Sequence, residues 1–415
     1  MKVKGLLKGA AICAFASTLV ACGNGGGSAS KGAVEIEYFS QKAEMQSTLK
    51  DIIKDFEKAN PDIKVKLTSV PDAGKVLKTR MANNEDPDVI NVYPQNMDFQ
   101  EWAKDGQFLE LDNKSGLENL KDGAAKTYAI NDKIYSLPLT ANAYGVYYNK
   151  DKFKELGIEV PKTFDEFKAL VDIINKDGKA APFALSLNDP WSLNGYHQLA
   201  WATNAGGYDG AEEKLIRSGK GAIKADDAVT EKVNQALELL HGNGQKGYEG
   251  AKYTDTVAKF AKGEALMMPQ GTWAAPVINQ QKPDFEVGMF AFPGQKEGEE
   301  LTVGAADLAL SISKDSKHPK EAKKFLDYMS SKKAIQKYYN VDGSPTSVKD
   351  VDTEGKFKET EGVTKYAFSD KHIVWLQKEW QSEEEFWNIT VKNIKNPSAA
   401  ELAKGLNKFF DSMKK

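Results

Sequence analysis

Between residues 34 and 93 the chain switches period four times, and this narrows its fold more than any other feature. Val34, Ile36, Tyr38 and Phe39 make a first strand. Met45, Leu49, Ile52, Ile53 and Phe56 then recur at helical spacing until Asn60-Pro61 stops them. Ile63, Val65 and Leu67 alternate as a second strand, Val76, Leu77 and Met81 mark a second helix, and 88–93 is a third, apolar strand closed by Pro94-Gln95-Asn96. Strand, helix, strand, helix, strand is the pattern of parallel βαβ units with helices on both faces of a sheet. A continuous apolar run such as 89–92 fits a strand buried on both faces. The expected fold class is α/β.

The chain has 415 residues, enough for two domains with their own cores. The β-rich stretches 134–138 and 142–149 read as a crossover into a second domain, which opens with a short helix over 150–156. Thr163 and Glu166 form a capping box for a helix carrying Phe164, Phe167, Leu170, Val171 and Ile174. A strand over 182–187 leads to Asn188-Asp189-Pro190-Trp191. There Asp189 and Pro190 read as N-cap and first residue of a helix through Tyr196 and Leu199 that ends at Gly206-Gly207. A helix over 226–240 follows. A strand over 265–268 is then punctuated by Pro269 and Gly271, with Trp273 at the start of the next helix. Strands are expected over 285–290 and 308–312, and a helix from His318-Pro319 through Ala322, Phe325, Leu326 and Met329. The C-terminal third reads as helical, with Ser398 and Glu401 as a second capping box.

The first 32 residues stand apart from this pattern. Lys2, Lys4 and Lys8 form a positive start, an apolar stretch over 9–20 is too short to span a membrane, and Leu19-Val-Ala-Cys22 has the form of a bacterial lipobox. Residues 1–21 are therefore expected to be a lipoprotein signal peptide. Cys22 is the expected lipidated residue, and the Gly/Ser-rich stretch to residue 32 a flexible tether. The other cysteine, Cys13, falls in the removed segment, which leaves no thiol for a disulfide, metal site or nucleophile. A net charge of −3 with scattered Lys and Arg gives no footprint for nucleic acid.

Catalytic motifs are absent. The four histidines (His197, His241, His318 and His372) are far apart, and there is no HExxH, GxSxG, P-loop or GxGxxG. Neither cofactor nor metal is expected. Glu383-Glu-Glu385 reads as a solvated helix face. Aromatic residues set beside polar ones at element ends are more informative: Asn188-Asp-Pro-Trp191, Gln270-Gly-Thr-Trp273 and His372-Ile-Val-Trp375. A neutral polar ligand with apolar faces, such as a sugar, needs flat aromatic surface and also side chains that meet each buried hydroxyl. From pattern alone Trp191 and Trp273 fit a cleft or a core equally, whereas Trp201, Trp380 and Trp387 read as core. Asp307, in Gly304-Ala-Ala-Asp307 before an apolar strand, is either a surface cap or a cleft acceptor for hydroxyls. His372 fits either a hinge-side donor or a partly exposed surface residue.

The ordered set of motifs resembles a known family. It comprises the lipobox at Cys22, Asp86-Pro-Asp-Val-Ile90, Ile134-Tyr-Ser-Leu-Pro138 with Tyr147-Tyr-Asn-Lys-Asp151, and Pro161-Lys-Thr-Phe-Asp-Glu-Phe167. It continues with 260–268, then Gly271-Thr-Trp273, and 310–322. The chain is similar to the lipid-anchored solute-binding proteins of ATP-driven sugar importers in Gram-positive bacteria, the maltose/multiple-sugar type. The resemblance implies a periplasmic-binding-protein-like fold, two α/β lobes joined by a multi-strand hinge with a ligand cleft between them. The expected lobes are 33–141 plus about 276–340 and 142–275 plus about 341–415. It implies capture of oligosaccharides at the outer face of the cell membrane, closure of the lobes, and delivery to the permease of an ABC importer by a monomeric, lipid-anchored protein.

Within that family the chain looks nearest to raffinose and multiple-sugar binders that take α-(1→6)-linked sugars such as raffinose, stachyose, melibiose and isomaltooligosaccharides. By that resemblance Asp307 and His372 hold the non-reducing sugar, Trp191 and Trp273 stack on it, and Lys42 and Asn96 contact sugar farther along. Trp201 is the alternative to Trp191, and Gln95 to Asn96. Two competing readings are a cell-surface glycoside hydrolase acting on the same sugars, and a binder of peptides or metals.

Overall fold

A computed structural model describes residues 32–367 and 369–414. The expected signal peptide, Cys22 and nearly all of the tether lie outside the described residues. The chain builds two sheets, each clothed by helices, and passes between them three times.

The first sheet contains β1 (Val34–Phe39), β2 (Ile63–Thr68), β3 (Val89–Val92), β4 (Leu137–Pro138) and β10 (Ala309–Ile312), in the order β2-β1-β3-β10-β4. Strand β1 is parallel to β2 and β3, as the βαβαβ pattern predicts, whereas the late strand β10 enters antiparallel to β3 and β4. Helix α1 (Gln46–Ala59) buries Leu49, Ile52, Ile53 and Phe56. It packs with the helix Pro319–Met329, where Phe56 and Phe325 meet edge to face at 5.1 Å, over the Ile36 and Tyr38 side of the sheet. Helices α2 (Ala73–Ala82) and α3 (Met97–Lys104) cover the opposite face, against Phe39, Ile90 and Val92. The strand ends thus open between two helical layers, where an α/β sheet presents its loops to a ligand.

The second sheet contains β5 (Tyr144–Asn149), β6 (Ala181–Phe183), β7 (Ala265–Gly271), β9 (Thr302–Gly304) and β11 (His372–Val374), ordered β11-β9-β5-β7-β6, with β8 (Val287–Phe290) also paired to β5. One face carries the large core of Phe164, Phe167, Tyr196, Trp201, Phe386 and their neighbours; the other carries Tyr147, Val257, Phe260 and Met268. The capping box Thr163/Glu166 forms, and Gly206 ends its helix at φ 86°.

Several expectations need correction. The strand expected over 265–268 runs on to Gly271 through Pro269. Met267 turns its carbonyl to the β6 side, where Ala184 N–H donates to it, so Pro269 faces the same side two residues on. Strand β6 pairs only as far as Phe183↔Met267, so no ladder bond is lost at the proline. Strands β8 and β9 pair within the second sheet, so the first part of the segment 276–340, expected in the first lobe, sits with the second. Strands β9 and β11 are too short for their alternation to show in the sequence.

Two of the passages lie side by side, with the segment 345–346 beside them. Ala141 pairs with Ala306 and Thr140 with Thr346, and Ala141 N–H donates to Pro345 O at 2.8 Å. A bundle of neighbouring strands crossing between two lobes is the structural form of a hinge.

Candidate functional site

The loop after β1 buries Lys42 against Asp307, beside the passages between the two sheets. It is 3 % exposed, and its Nζ donates to Asp307 Oδ2 at 2.6 Å and contacts Glu44 Oε1 at 2.8 Å. Burial works against the ammonium, but Asp307 and then Glu44 outweigh it and hold Lys42 well above the ordinary lysine range. Asn142 completes the arrangement from the hinge. Its Nδ2 donates to Asp307 Oδ1 at 3.0 Å, while its Oδ1 accepts from Ala305 N–H at 3.1 Å. One amide therefore stitches two passages together and fixes the carboxylate.

Around this pair stand polar atoms with no partner among the described residues: Tyr38 Oη, Tyr338 Oη and Asp342 Oδ1. Each of these side chains lies within electrostatic reach of Lys42. Burial drives the Tyr38, Tyr93 and Tyr338 phenols upward, so all three keep their protons as donors. Burial, and then the charge of Asp307, pushes the Asp342 carboxyl up to about 7. Unmet hydrogen-bonding capacity in a dry site is costly unless a ligand supplies the partner.

The second lobe contributes an aromatic wall. Gly271 is what allows Trp273 its position, because a Cβ there would overlap the indole's six-membered ring. Tyr147 Oη donates to the Gly271 and Thr272 carbonyls, and Thr272 N–H to Ala143 O at 2.9 Å, which pins the turn to the start of β5. Asp189 is the N-cap of the 3-10 turn Pro190–Leu193 without a side-chain bond to it. Its Oδ2 instead accepts Tyr253 N–H at 2.7 Å, at the start of another helix. That sets Tyr253 at 5.1 Å from Trp191, with Trp191 at 6.4 Å from Trp273, Trp273 at 6.1 Å from Tyr144, and Tyr144 at 6.3 Å from Trp375. Tyr253 feels the charges of Glu44 and Lys42, which places this wall opposite the buried pair. Trp191, Trp273 and Tyr253 are half-buried, and Trp273 Nε1 has no partner.

The structure brings Lys42 and Asp307 into direct contact and sets Trp191 beside Trp273. His372 lies in β11, its ring against the bare backbone of Gly304 where any Cβ would crowd it. Its Nδ1 is unpartnered and burial lowers it to about 4, so the imidazole is neutral. Trp201 is fully buried and donates to His197 Nε2 at 3.2 Å, a core role. Trp380 is 1 % exposed in the same core. Gln95 is buried and lines an inter-lobe cavity of about 320 Å³ with Tyr128, Tyr208 and Trp375. Asn96 lines a second one, about 480 Å³, with Tyr93, Trp102, Trp380, Glu383 and Trp387. In the run 383–385, Glu384 and Glu385 are exposed, but Glu383 is half-buried against that cavity, so the expected solvated face holds for two of three.

Tyr253, Tyr338, Asp342, Asn142 and Gln377 escaped sequence reasoning. Tyr338 and Asp342 lie on the helix Lys332–Asp342, a segment the sequence pattern left unassigned, and Asn142 read as the start of a strand. Asp189 carried a usable signal, a capping residue before proline, but it caps a different helix.

Asp307 is bound on both oxygens, by Lys42 and Asn142, and neither is set to shuttle a proton. Among the described residues no three His, Cys, Asp or Glu side chains cluster as metal ligands.

Comparison with known proteins gives matches over most of the chain. Residues 40–336 match the family described as bacterial extracellular solute-binding protein. The chain is 53% identical over 399 residues, 95% of its length and 94% of the relative's, to the multiple sugar-binding protein of Streptococcus mutans. A structure of RafE in complex with raffinose is 49% identical and superposes with a TM-score of 0.89 over 92% of this chain and all of that one. The apo form of RafE from Streptococcus pneumoniae, also 49% identical, gives 0.81 over 93% and 99%. The chain as a whole superposes more closely on the raffinose complex than on the apo form.

Proposed function

The chain belongs to the bacterial extracellular solute-binding proteins, a family of binding proteins rather than enzymes, and we propose that its ligand is an oligosaccharide of the α-(1→6)-linked, raffinose type. One observation carries this reading. A dry Lys42–Asp307 pair ringed by unpartnered donors and acceptors faces a half-buried wall of Trp191, Trp273 and Tyr253. Hydroxyls would satisfy the first set, and the C–H face of a pyranose would lie on the second. Asp307 and His372 would grip the terminal sugar, Lys42 would orient Asp307, Trp191 and Trp273 would stack, and Asn96 would reach sugar farther along.

The lobes, taken as residues 33–141 with 305–360 and residues 142–304 with 361–414, would close on the sugar about the three passages. The closed form would then dock on the permease of an ABC importer. Lipidation at Cys22 would hold the protein, as a monomer, at the outer face of the cell membrane. The names of the multiple sugar-binding relative and of the raffinose complex support the choice of ligand.

Isothermal titration of the mature chain with raffinose, melibiose, stachyose and isomaltotriose tests the reading. Saturable binding of raffinose and at least one longer α-(1→6)-linked sugar is expected, with no product released on prolonged incubation. Absence of heat with every sugar would sink it.

A further inference from the structure

Asn96 breaks a local rule. It is the N-cap of α3, a position where an asparagine side chain ordinarily bonds a backbone N–H of the first turn, yet it makes no such bond. Its Oδ1 instead accepts from Gln377 Nε2 at 2.8 Å, across 281 residues and across the cleft. A local preference given up in this way marks a residue with another task.

The direction of that bond follows from the chemistry behind it. Leu376 N–H can only donate, and it donates to Gln198 Oε1 at 2.7 Å. The amide NH₂ of Gln198 is therefore at its other end, donating to Asn194 Oδ1 at 2.9 Å and Gln377 Oε1 at 3.1 Å. Asn194 Nδ2 donates to the same Gln377 Oε1 at 2.8 Å. With its oxygen held by two donors, Gln377 must present its own NH₂ to Asn96. Gln377, Asn194 and Gln198 are all buried, on the 3-10 turn Leu376–Glu379 and the helix Asn194–Ala205 of the second lobe. The second lobe thus carries a preset donor, and the first lobe supplies the acceptor. The bridge stands between the two inter-lobe cavities, one lined by Gln95 and Trp375, the other by Asn96 and Trp380.

We propose that Asn96 and Gln377 form an inter-lobe latch, in which Gln377 is a positioning residue that holds Asn96 Oδ1 in the closed form and leaves the Asn96 NH₂ group to the ligand. This rests on the reading of the protein as one that closes on a sugar. A latch made only after closure slows release more than it slows capture.

Stopped-flow fluorescence with raffinose on the full mature chain reads this out. Gln377→Ala should raise the dissociation rate about fivefold, the order of one buried hydrogen bond, with the association rate changed less than about twofold. Gln377→Glu keeps Oε1 for Asn194 and Gln198 and removes only the NH₂ that reaches Asn96, so it stands in if Gln377→Ala unfolds. Once Asn96 is alanine, Gln377→Ala should add less than about twofold to the dissociation rate, because paired residues are not additive. A full further effect in that background, an unchanged dissociation rate in Gln377→Ala, or a loss confined to association would overturn the latch.

If the unsubstituted chain binds no oligosaccharide, the sugar reading fails, and the latch is then tested on the free protein. Double electron–electron resonance between two introduced cysteines, one per lobe, is straightforward because the described residues contain none. Loss of a short-distance population in Gln377→Ala supports the latch; identical distributions, or no short-distance population at all, overturn it.

Discussion

The two walls of the proposed cleft differ in their physics. The first-lobe and hinge side is charged, dry and interlocked: Lys42, Asp307, Glu44 and Asn142 hold one another, and Lys42 and Asp307 are each at most 3 % exposed. The second-lobe side is aromatic and half-exposed, and its rings touch in a chain without hydrogen-bonding each other. A buried ion pair contributes little net stability, because desolvation offsets the Coulomb attraction, but its geometry is fixed. An aromatic face contributes contact area with little directional demand. The first wall therefore suits discrimination among hydroxyl arrangements, and the second suits tolerance of different sugars with similar faces. The polar atoms left unpartnered follow this division. Tyr38, Tyr338 and Asp342 cluster at the charged wall, while the second-lobe side offers Trp273 Nε1 and His372 Nδ1.

Breaking the charged wall should do most damage. Asp307→Ala leaves Lys42 buried with Glu44 alone and frees the Asn142 amide. It should destabilise the fold by roughly 3–5 kcal/mol, as for a buried pair that loses one member. Raffinose affinity should also fall by roughly 1.5–3 kcal/mol, as for a lost hydrogen bond to a charged group. Thermal unfolding and titration calorimetry separate the two losses. An unfolding midpoint unchanged by Asp307→Ala would show that the pair is not a structural unit.

The aromatic wall should separate affinity from stability. Trp273 is half-buried and packs on Gly271 at a turn that Tyr147 and Ala143 hold independently. Trp273→Ala should weaken raffinose binding by about 2 kcal/mol, the scale of an aromatic hot spot. Its effect on the unfolding midpoint should be smaller than that of Asp307→Ala. If Trp273→Ala lowers the midpoint as much but leaves affinity within error, the indole is core and the contrast between the walls disappears.

The sequence made these two walls legible to different degrees. The βαβαβ pattern and the capping box at Thr163 are local, and both formed as their residues require. Trp191 and Trp273 were visible as aromatics at element ends, but not as neighbours, because some eighty residues, several helices and a strand separate them. They meet because the turn Pro190–Leu193 packs on β7, while Asp189 reaches Tyr253, a side-chain choice that a capping rule assigns to the wrong helix. The polar residues of the charged wall were harder still. Asp342 and Tyr338 sit on a helix whose apolar periodicity explains them without any ligand, and only the folded chain shows them facing a buried lysine. Gln377 had no local signal, since its partners Asn194, Gln198 and Asn96 come from distant segments. The short strands β9 and β11, which fix the lobe limits and the seat of His372, fall below the length at which alternation can be read.

The smallest effect sharpens the charged wall itself. Asp342 is buried, with Oδ2 accepting Ser344 N–H at 3.2 Å and Oδ1 unpartnered. Burial, then Asp307, raises its carboxyl to about 7, while Lys42 opposes the shift. A carboxyl raised on folding keeps in the native state a proton that the unfolded chain releases nearer pH 4. The unfolded chain therefore binds fewer protons between those values. Wild-type stability from this group is complete at low pH, falls as pH rises through about 7, and is level above it. Asp342→Asn removes the titration and keeps the acceptor for Ser344. Its unfolding midpoint should match wild type near pH 4, exceed it by a margin that grows to about pH 7, and keep that margin above it. The gain is limited because Lys42 already relieves part of the cost of the ionised form. A difference between the two proteins that does not vary with pH would mean that Asp342 stays ionised throughout, and that the charged wall holds three carboxylates (Asp307, Glu44 and Asp342) against Lys42 rather than two and a neutral carboxyl.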